Sequence, residues 1–483
     1  MQALTGLCAA RSKALPSVHQ FNDGRSAGGA RLIATASIGY RLPSDGASNP
    51  DIEPRLARGG VAVSRSTLRA AIGPGLLLAG AAVGVSHLVQ STRAGAEYGL
   101  ALLGLVLLAC ALKFPFLEFG PRYAAATGEH LIRGYARLGR WPLAVFVGLT
   151  IATMFIVLAA VTIVTAGLAG TLLGIQASIA TLAAGVLGVS AAVLLIGHYR
   201  GLDLVMKVIM AVLALATLAT VALALSQQAD AADLLPSWTD AGLISGAGLA
   251  FVLALLGWMP IPLDAAAWHS IWTLERAGET GSRPSVAHAG ADFAIGYSGA
   301  VVLAIAFMLL GALVLYGTGQ TLAGSAVEFS AQLVDLYALS LGEWSRPLIA
   351  FAALATMLST TLAVADAYPR VLRAFFELRD ADHRGSETRH RARYIAGMAV
   401  TMAGAWLIIA FFGQQFTLLI DFTTTVSFLA APVVGWLNLK LLCGPHTPAA
   451  ARPGPALRAT AWAGLVFLAL FCVVWIVFRI TGL

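Results

Sequence analysis

The chain has 483 residues, of which 58% are hydrophobic and only 11% charged. A soluble domain carries about twice that charge, and the apolar residues fall in long blocks that recur from residue 72 to the C-terminus. The composition therefore excludes a soluble globular protein and points to an all-α integral membrane protein. The strands of a transmembrane barrel would alternate over short segments, and these blocks do not. The formal net charge of +7 lies on the segments between blocks, so it argues for no nucleic-acid partner. Cys8, Cys110, Cys443 and Cys472 are scattered and support neither a disulfide framework nor a CxxC metal site. No nucleophile motif, phosphate loop or cofactor fingerprint is present, so neither an enzyme nor a cofactor is expected.

Residues 1–69 mix Gly, Ser, Ala and Arg without a helical period and carry nine Lys/Arg against four acids. They are expected to form a disordered cytoplasmic tail, with residues 70–483 as the transmembrane domain. Eleven spans follow, each about 20 residues or longer, as a hydrocarbon core of ~30 Å requires. The first six run roughly over 72–92, 98–119, 141–173, 178–196, 202–225 and 241–271. The other five cover 293–316, 343–368, 394–412, 416–442 and 456–480. With the N-terminus inside, the inward loops collect Arg122, Arg133, Arg137, Arg140, Arg200 and Lys207, then seven arginines between Arg370 and Arg393. The outward loops carry Asp230, Asp233, Asp240, Glu328 and Asp335. This is the positive-inside pattern, and it predicts a multi-pass protein of the cell (inner) membrane with a cytoplasmic N-terminus.

Two spans are interrupted. The first begins at Pro74, suited to an opening helical turn, and turns polar halfway along at Gly84-Val85-Ser86-His87. Such groups are unfavourable in lipid unless they face protein or a cavity. A glycine-kinked packing helix with one satisfied histidine would also account for them. In the sixth span Pro260 and Pro262 each remove a helical hydrogen bond, so the backbone between Gly257 and Pro262 must open. Asp264 follows at once, and His269 lies five residues on. An acid inside a span is a functional residue by default, although Asp264 is also a reasonable N-cap for the second half-helix. Breaks five helices apart are what a five-plus-five inverted repeat produces, with both broken spans meeting at a common midplane site.

With these residues in view the chain resembles the NRAMP family of proton-coupled divalent-metal transporters. The likeness rests on Gly73-Pro74-Gly75, on the QSTRAGAEYG segment from Gln90, on ATGEHL from Ala126, on Met259-Pro260 and on Trp268-His269-Ser270. The resemblance implies a LeuT-type fold and an alternating-access carrier. It also exposes departures. The first-helix Asp-Pro-Gly-Asn motif is replaced by Gly84-Val85-Ser86-His87, so Gly84 stands for the metal-binding aspartate and His87 for the asparagine. Met259 keeps the family's sixth-helix thioether. Anchoring instead on Trp268-His269-Ser270 puts Asp264 near the family's histidine, and the two registers differ by three residues. The third span, 141–173, has no acid, whereas the family uses acids there.

These residues give the expected site. Gly84, Ser86, His87, Met259 and Asp264 bind substrate, with His87, Met259 and Asp264 offering imidazole, thioether and carboxylate to a metal. The cargo is a divalent cation of the Mn, Fe or Mg class. A small organic solute held by a half-helix end is the alternative. His269, Thr360 and Asp421 are candidates for coupling or gating, His269 alternatively as a packing residue. Lys113 is expected to snorkel, with Glu118 as its partner.

Overall fold

Apolar blocks of this length, interrupted by glycine and proline, fold into helices. The computed structural model describes residues 73–196, 199–227, 234–239, 242–320, 322–378 and 387–481. The expected tail, residues 1–69, lies outside them. The first interrupted span is α1 (Pro74–Ala82) and α2 (Ser86–Tyr98), bent by 45°. Next come α3 (Leu103–Thr127), the short α4 (Leu131–Leu138), α5 (Arg140–Leu173), α6 (Ile179–Ile196) and α7 (Tyr199–Gln227). The sixth span is α8 (Gly246–Trp258) and α9 (Ala265–Thr280), followed by α10 (Val286–Val314), α11 (Ala326–Leu341) and α12 (Arg346–Glu377). The chain closes with α13 (Glu387–Phe412), α14 (Phe416–Cys443) and α15 (Pro455–Thr481).

Among the described residues eight helices are long and apolar enough to cross a membrane, and the bent α1–α2 pair makes a ninth. The fifth and sixth expected spans fall on α7 and on the α8–α9 pair. Among the described residues, Ala211–Ser226 of α7 and the 13 residues of α8 are apolar helical stretches too short to qualify alone. Helix α11 was expected to be loop. Its hydroxyl cap starts it: Ser325 Oγ accepts from Glu328 N and donates to the Glu328 carboxylate at 2.9 Å. Phe329, Leu333 and Tyr337 on one face are then buried in the bundle.

Helix ends follow local chemistry. Ser245 and Ser285 cap α8 and α10 by accepting from the third backbone N–H beyond them. Helices α3 and α5 stop at Gly128 and Gly174, both in the left-handed region that favours glycine.

Packing relates the two broken spans. The α1–α2 pair lies along α10, while α9 lies along α3, as repeat mates would require, and α5 packs against α12 in the middle. Contact between α1 and α10 depends on small residues. A Cβ on Gly75 would fall 2.1 Å from the Asp292 carbonyl oxygen, and one on Gly296 would fall 2.1 Å from the Gly75 carbonyl. Asp292 also accepts from Gly73 N at 3.2 Å and Gly75 N at 2.6 Å, which places a carboxylate at the positive end of α1. The large apolar side chains of α6, α13 and α15, including Ile196, Phe411 and Ile480, point outward, as lipid-facing residues do.

Candidate functional site at the two helix breaks

The first break begins with one misdirected amide. Gly84 N donates to Ala82 O at 2.8 Å instead of to Gly80 O. The Gly80 carbonyl loses its helical donor, and Thr360 Oγ on α12 replaces it at 2.9 Å, with Val83 O 3.2 Å away. This approach needs glycine. A Cβ on residue 84 would lie 2.7 Å from Thr360 Cγ2 and 3.0 Å from its hydroxyl. Beyond the break α2 starts with a π-helical stretch, Ser86–Ser91, a distortion common at functional sites.

Ser86 Oγ sits 2.8 Å from Ala82 O, 3.3 Å from Pro260 O and 2.7 Å from His87 Nδ1, so it ties the first break to the second. His87 points elsewhere. Its Nε2 donates to Ala300 O on α10 at 2.8 Å, and with Nδ1 on Ser86 both ring nitrogens are occupied.

At the second break α8 ends at Trp258, because neither Pro260 nor Pro262 offers an N–H to the preceding turn. The carbonyls left over are taken by Lys113. Its Nζ donates to Leu256 O and Gly257 O at 3.1 Å each and to Met259 O at 2.9 Å. Lys113 is fully buried, so it does not snorkel. Glu118, its expected partner, pairs with Arg122 at 2.7 Å. Helix α9 resumes after Asp264, which occupies the N-cap position with helical dihedrals and makes no side-chain cap bond. Its carboxylate instead accepts from Tyr368 OH at 3.3 Å and lines a narrow cleft with Thr150, Thr153 and Ser427, wide enough for about one water.

Between the breaks lies a second small cavity, lined by Ser86, Pro260, Ile261, Pro262, Thr360 and Trp268, again with room for about one water. Gly84, Ser86 and Thr360 thus meet at this point, and the buried Met259 thioether lies further along α2, 3.9 Å from Ser91 Oγ. The expected ligand trio does not assemble. His87 faces α10 and Asp264 faces α12, and no group of three or more His, Cys, Asp or Glu side chains among the described residues is arranged to hold a metal. His269 is buried with neither ring nitrogen hydrogen-bonded, 5.9 Å from the Phe293 ring.

Polar networks close the bundle at both ends. Near Tyr98, Asp421 accepts from Arg93 at 2.8 Å and from Gln90 at 3.0 Å, while Arg93 also reaches Glu97 at 3.3 Å and lies over the Phe251 ring. This joins α2, α8 and α14. Asp421 stands out in the sequence as an acid inside a span, whereas Arg93 and Gln90 do not, although both stand in the QSTRAGAEYG segment. At the opposite end Arg370 bonds Glu275 and, at 2.5 Å, Asp366, while Tyr394 OH donates to Asp366 at 2.7 Å. That network joins α9, α12 and α13. A pairing of arginines with acids across these helices was invisible without the fold.

Two helices broken at mid-bundle and facing each other, with polar networks at either end, define a multi-pass membrane protein of LeuT-type fold. The same fold is seen in the Eremococcus coleocola manganese transporter bound to an aromatic bis-isothiourea substituted compound, at TM-score 0.66 and 18% identity, covering 88% of this chain and 90% of that one. It is seen again in MhsT with L-phenylalanine, at TM-score 0.55 and 15% identity, covering 85% and 99%. The chain belongs to the natural resistance-associated macrophage protein-like (Nramp) family, whose model matches residues 75–478, and it is therefore a divalent-metal transporter by family. A relative, the uncharacterized protein PM0681 of Pasteurella multocida (strain Pm70), is 35% identical over 414 residues, 84% of this chain and 92% of that protein.

Proposed function

We propose that this protein carries a transition-metal dication of the Mn or Fe class across the cell membrane by alternating access, with its N-terminus inside. The observation that carries this reading is the meeting of the two breaks at Ser86, Thr360 and Pro260, with the Met259 thioether against Ser91 further along α2. A soft sulfur ligand favours such metals over Mg²⁺. Membership of the family also favours a metal over a small organic solute.

The donor set we assign is Met259 sulfur, the Asp264 carboxylate, the Ser86 and Thr360 hydroxyls, and backbone carbonyls freed at Val83 and Pro260. In the present conformation each side chain of this set is engaged by the protein: Met259 by Ser91, Asp264 by Tyr368, and the hydroxyls by carbonyls. Binding would exchange these partners for the metal. His87 is left out of the set because its ring is turned towards Ala300 O on α10, and its role is to fix α2 against α10. The Arg93–Asp421 and Arg370–Asp366–Glu275 networks serve as the outer and inner gates, with Asp264 and His269 as the groups available for proton coupling.

Purified protein in liposomes loaded with a metal-sensitive dye tests this. Mn²⁺ entry is expected, with Asp264→Asn reducing it at least tenfold and Met259→Ala reducing Mn²⁺ entry more than Mg²⁺ entry. A silent dye with folded wild-type protein would overturn the reading.

A further inference from the structure

Lys113 presents an unusual arrangement: an ammonium fully buried in the bundle whose three hydrogen-bond partners are all backbone carbonyls. Among the described residues no carboxylate lies within ion-pairing distance of it. A buried charge with no carboxylate in direct contact is expensive at membrane depth, so something must offset that cost. The break in the sixth span supplies it. Leu256 O would ordinarily receive the N–H of residue 260, which is a proline, and Gly257 and Met259 lie at the C-terminal, negative end of α8 where helical donors have run out. Three carbonyls converge on one point at distances of 2.9–3.1 Å. Three is also the number of protons an ammonium donates, so donor and acceptors are mutually satisfied.

Unwound carbonyls at the C-terminal end of a half-helix are the groups that bind a diffusible monovalent cation in carriers built on broken helices. Here the position is filled from the side by a residue of α3. We propose that Lys113 is a tethered cation: its ammonium occupies a carbonyl cradle at the end of α8 that would otherwise take a monovalent ion. Two consequences follow. The open end of α8 is stabilised without any ion from solution. A positive charge also rests on the Met259 carbonyl at 2.9 Å, so an incoming dication is repelled from this end of α8. The second consequence rests on the metal-carrier reading, whereas the first does not.

The first consequence is therefore the one to test, by thermal unfolding of the purified full chain without any transport measurement. Lys113→Ala removes three methylenes and the ammonium, which is the composition of propylammonium. The variant is expected to unfold about 5 °C or more below wild type, as for loss of several hydrogen bonds to a charged donor. Propylammonium chloride at tens of millimolar should restore at least half of that loss. The isosteric neutral n-propanol should restore none, and wild type should respond to neither. Restoration by n-propanol equal to that by propylammonium would reduce Lys113 to a space-filler and overturn the proposal, as would an unchanged unfolding temperature or failure of propylammonium to restore any stability. Should Lys113→Ala yield no folded protein, Lys113→Met decides, because it keeps the bulk and drops the charge. Unfolding at the wild-type temperature would overturn the proposal, and loss of stability or of folded protein would sustain it. Failure of dye uptake alone would leave these results unaffected and count only against the metal-carrier reading.

Discussion

Gly84→Ala is the perturbation whose outcome is most tightly fixed by geometry. The added methyl would start 2.7 Å from Thr360 Cγ2, where ordinary van der Waals contact is 3.4–4 Å. Thr360 must retreat by close to 1 Å, and its 2.9 Å bond to Gly80 O is lost with the movement. Overpacking of this kind costs about 1–3 kcal/mol, and leaving a buried carbonyl without a donor costs about as much again. A combined loss of about 2–6 kcal/mol corresponds, in a chain of this length, to unfolding about 2–7 °C earlier. Thr360→Ala loses the hydroxyl but removes the obstruction. In the double variant the two closest obstructing atoms are gone, and Cβ of residue 360 lies 3.3 Å from the new methyl. The double variant should then be hardly less stable than Thr360→Ala alone, so the coupling in a double-mutant cycle should be close in size to the whole loss caused by Gly84→Ala. Thermal unfolding of the four proteins measures this directly. Simple additivity of the two single effects would refute the assignment of Thr360 as the cap of the broken first helix. By the same geometry, Gly84→Asp, which restores the family's aspartate, should raise metal uptake only when combined with Thr360→Ala.

Other expectations follow from the two gates and from a loop histidine. Arg93→Gln removes the donor shared by Asp421 and Glu97 and should increase labelling of a cysteine placed at Ser86 by an impermeant reagent added from the Tyr98 end. Unchanged labelling would count against a gate there. Arg370→Gln should do the same from the Glu275 end, and equal labelling from both sides in either variant would contradict separate gates. His130 Nδ1 accepts from Arg133 N to cap α4 at 3.2 Å, so it must be unprotonated. Burial, with Arg133 and Arg373 nearby, lowers its pKa to about 4 from 6.5. The unfolded chain therefore binds the extra proton first, and stability present above pH 6.5 is lost as pH falls towards 4. Differential scanning fluorimetry across that window should show a slope that His130→Ala reduces.

The parts legible in the sequence were those set by patterns along the chain. Proline at 260 and 262 and the polar run 84–87 announced both breaks, because each removes helical hydrogen bonds or places polar atoms where lipid forbids them. The family followed from short motifs near those breaks. What the sequence did not reveal was pairing across helices. Lys113 read as a snorkelling lysine because its proper acceptors are carbonyls, which every residue has, freed by prolines more than 140 positions away. His87 read as a ligand because nothing local foretells that Ala300 O takes its Nε2. Thr360 read as one hydroxyl among several on the eighth span, and only the fold sets it against Gly80. Asp264 stood correctly at the start of the second half-helix but turned to Tyr368 rather than to the helix end.

The account stands on one claim, that the metal sits where the two broken helices face each other. Crystals of the protein grown with Mn²⁺ and measured at the manganese absorption edge test it most directly. An anomalous peak between Met259 sulfur, the Ser86 and Thr360 hydroxyls and the Asp264 carboxylate is the predicted result. A peak elsewhere in the bundle, or none at saturating Mn²⁺, would contradict it.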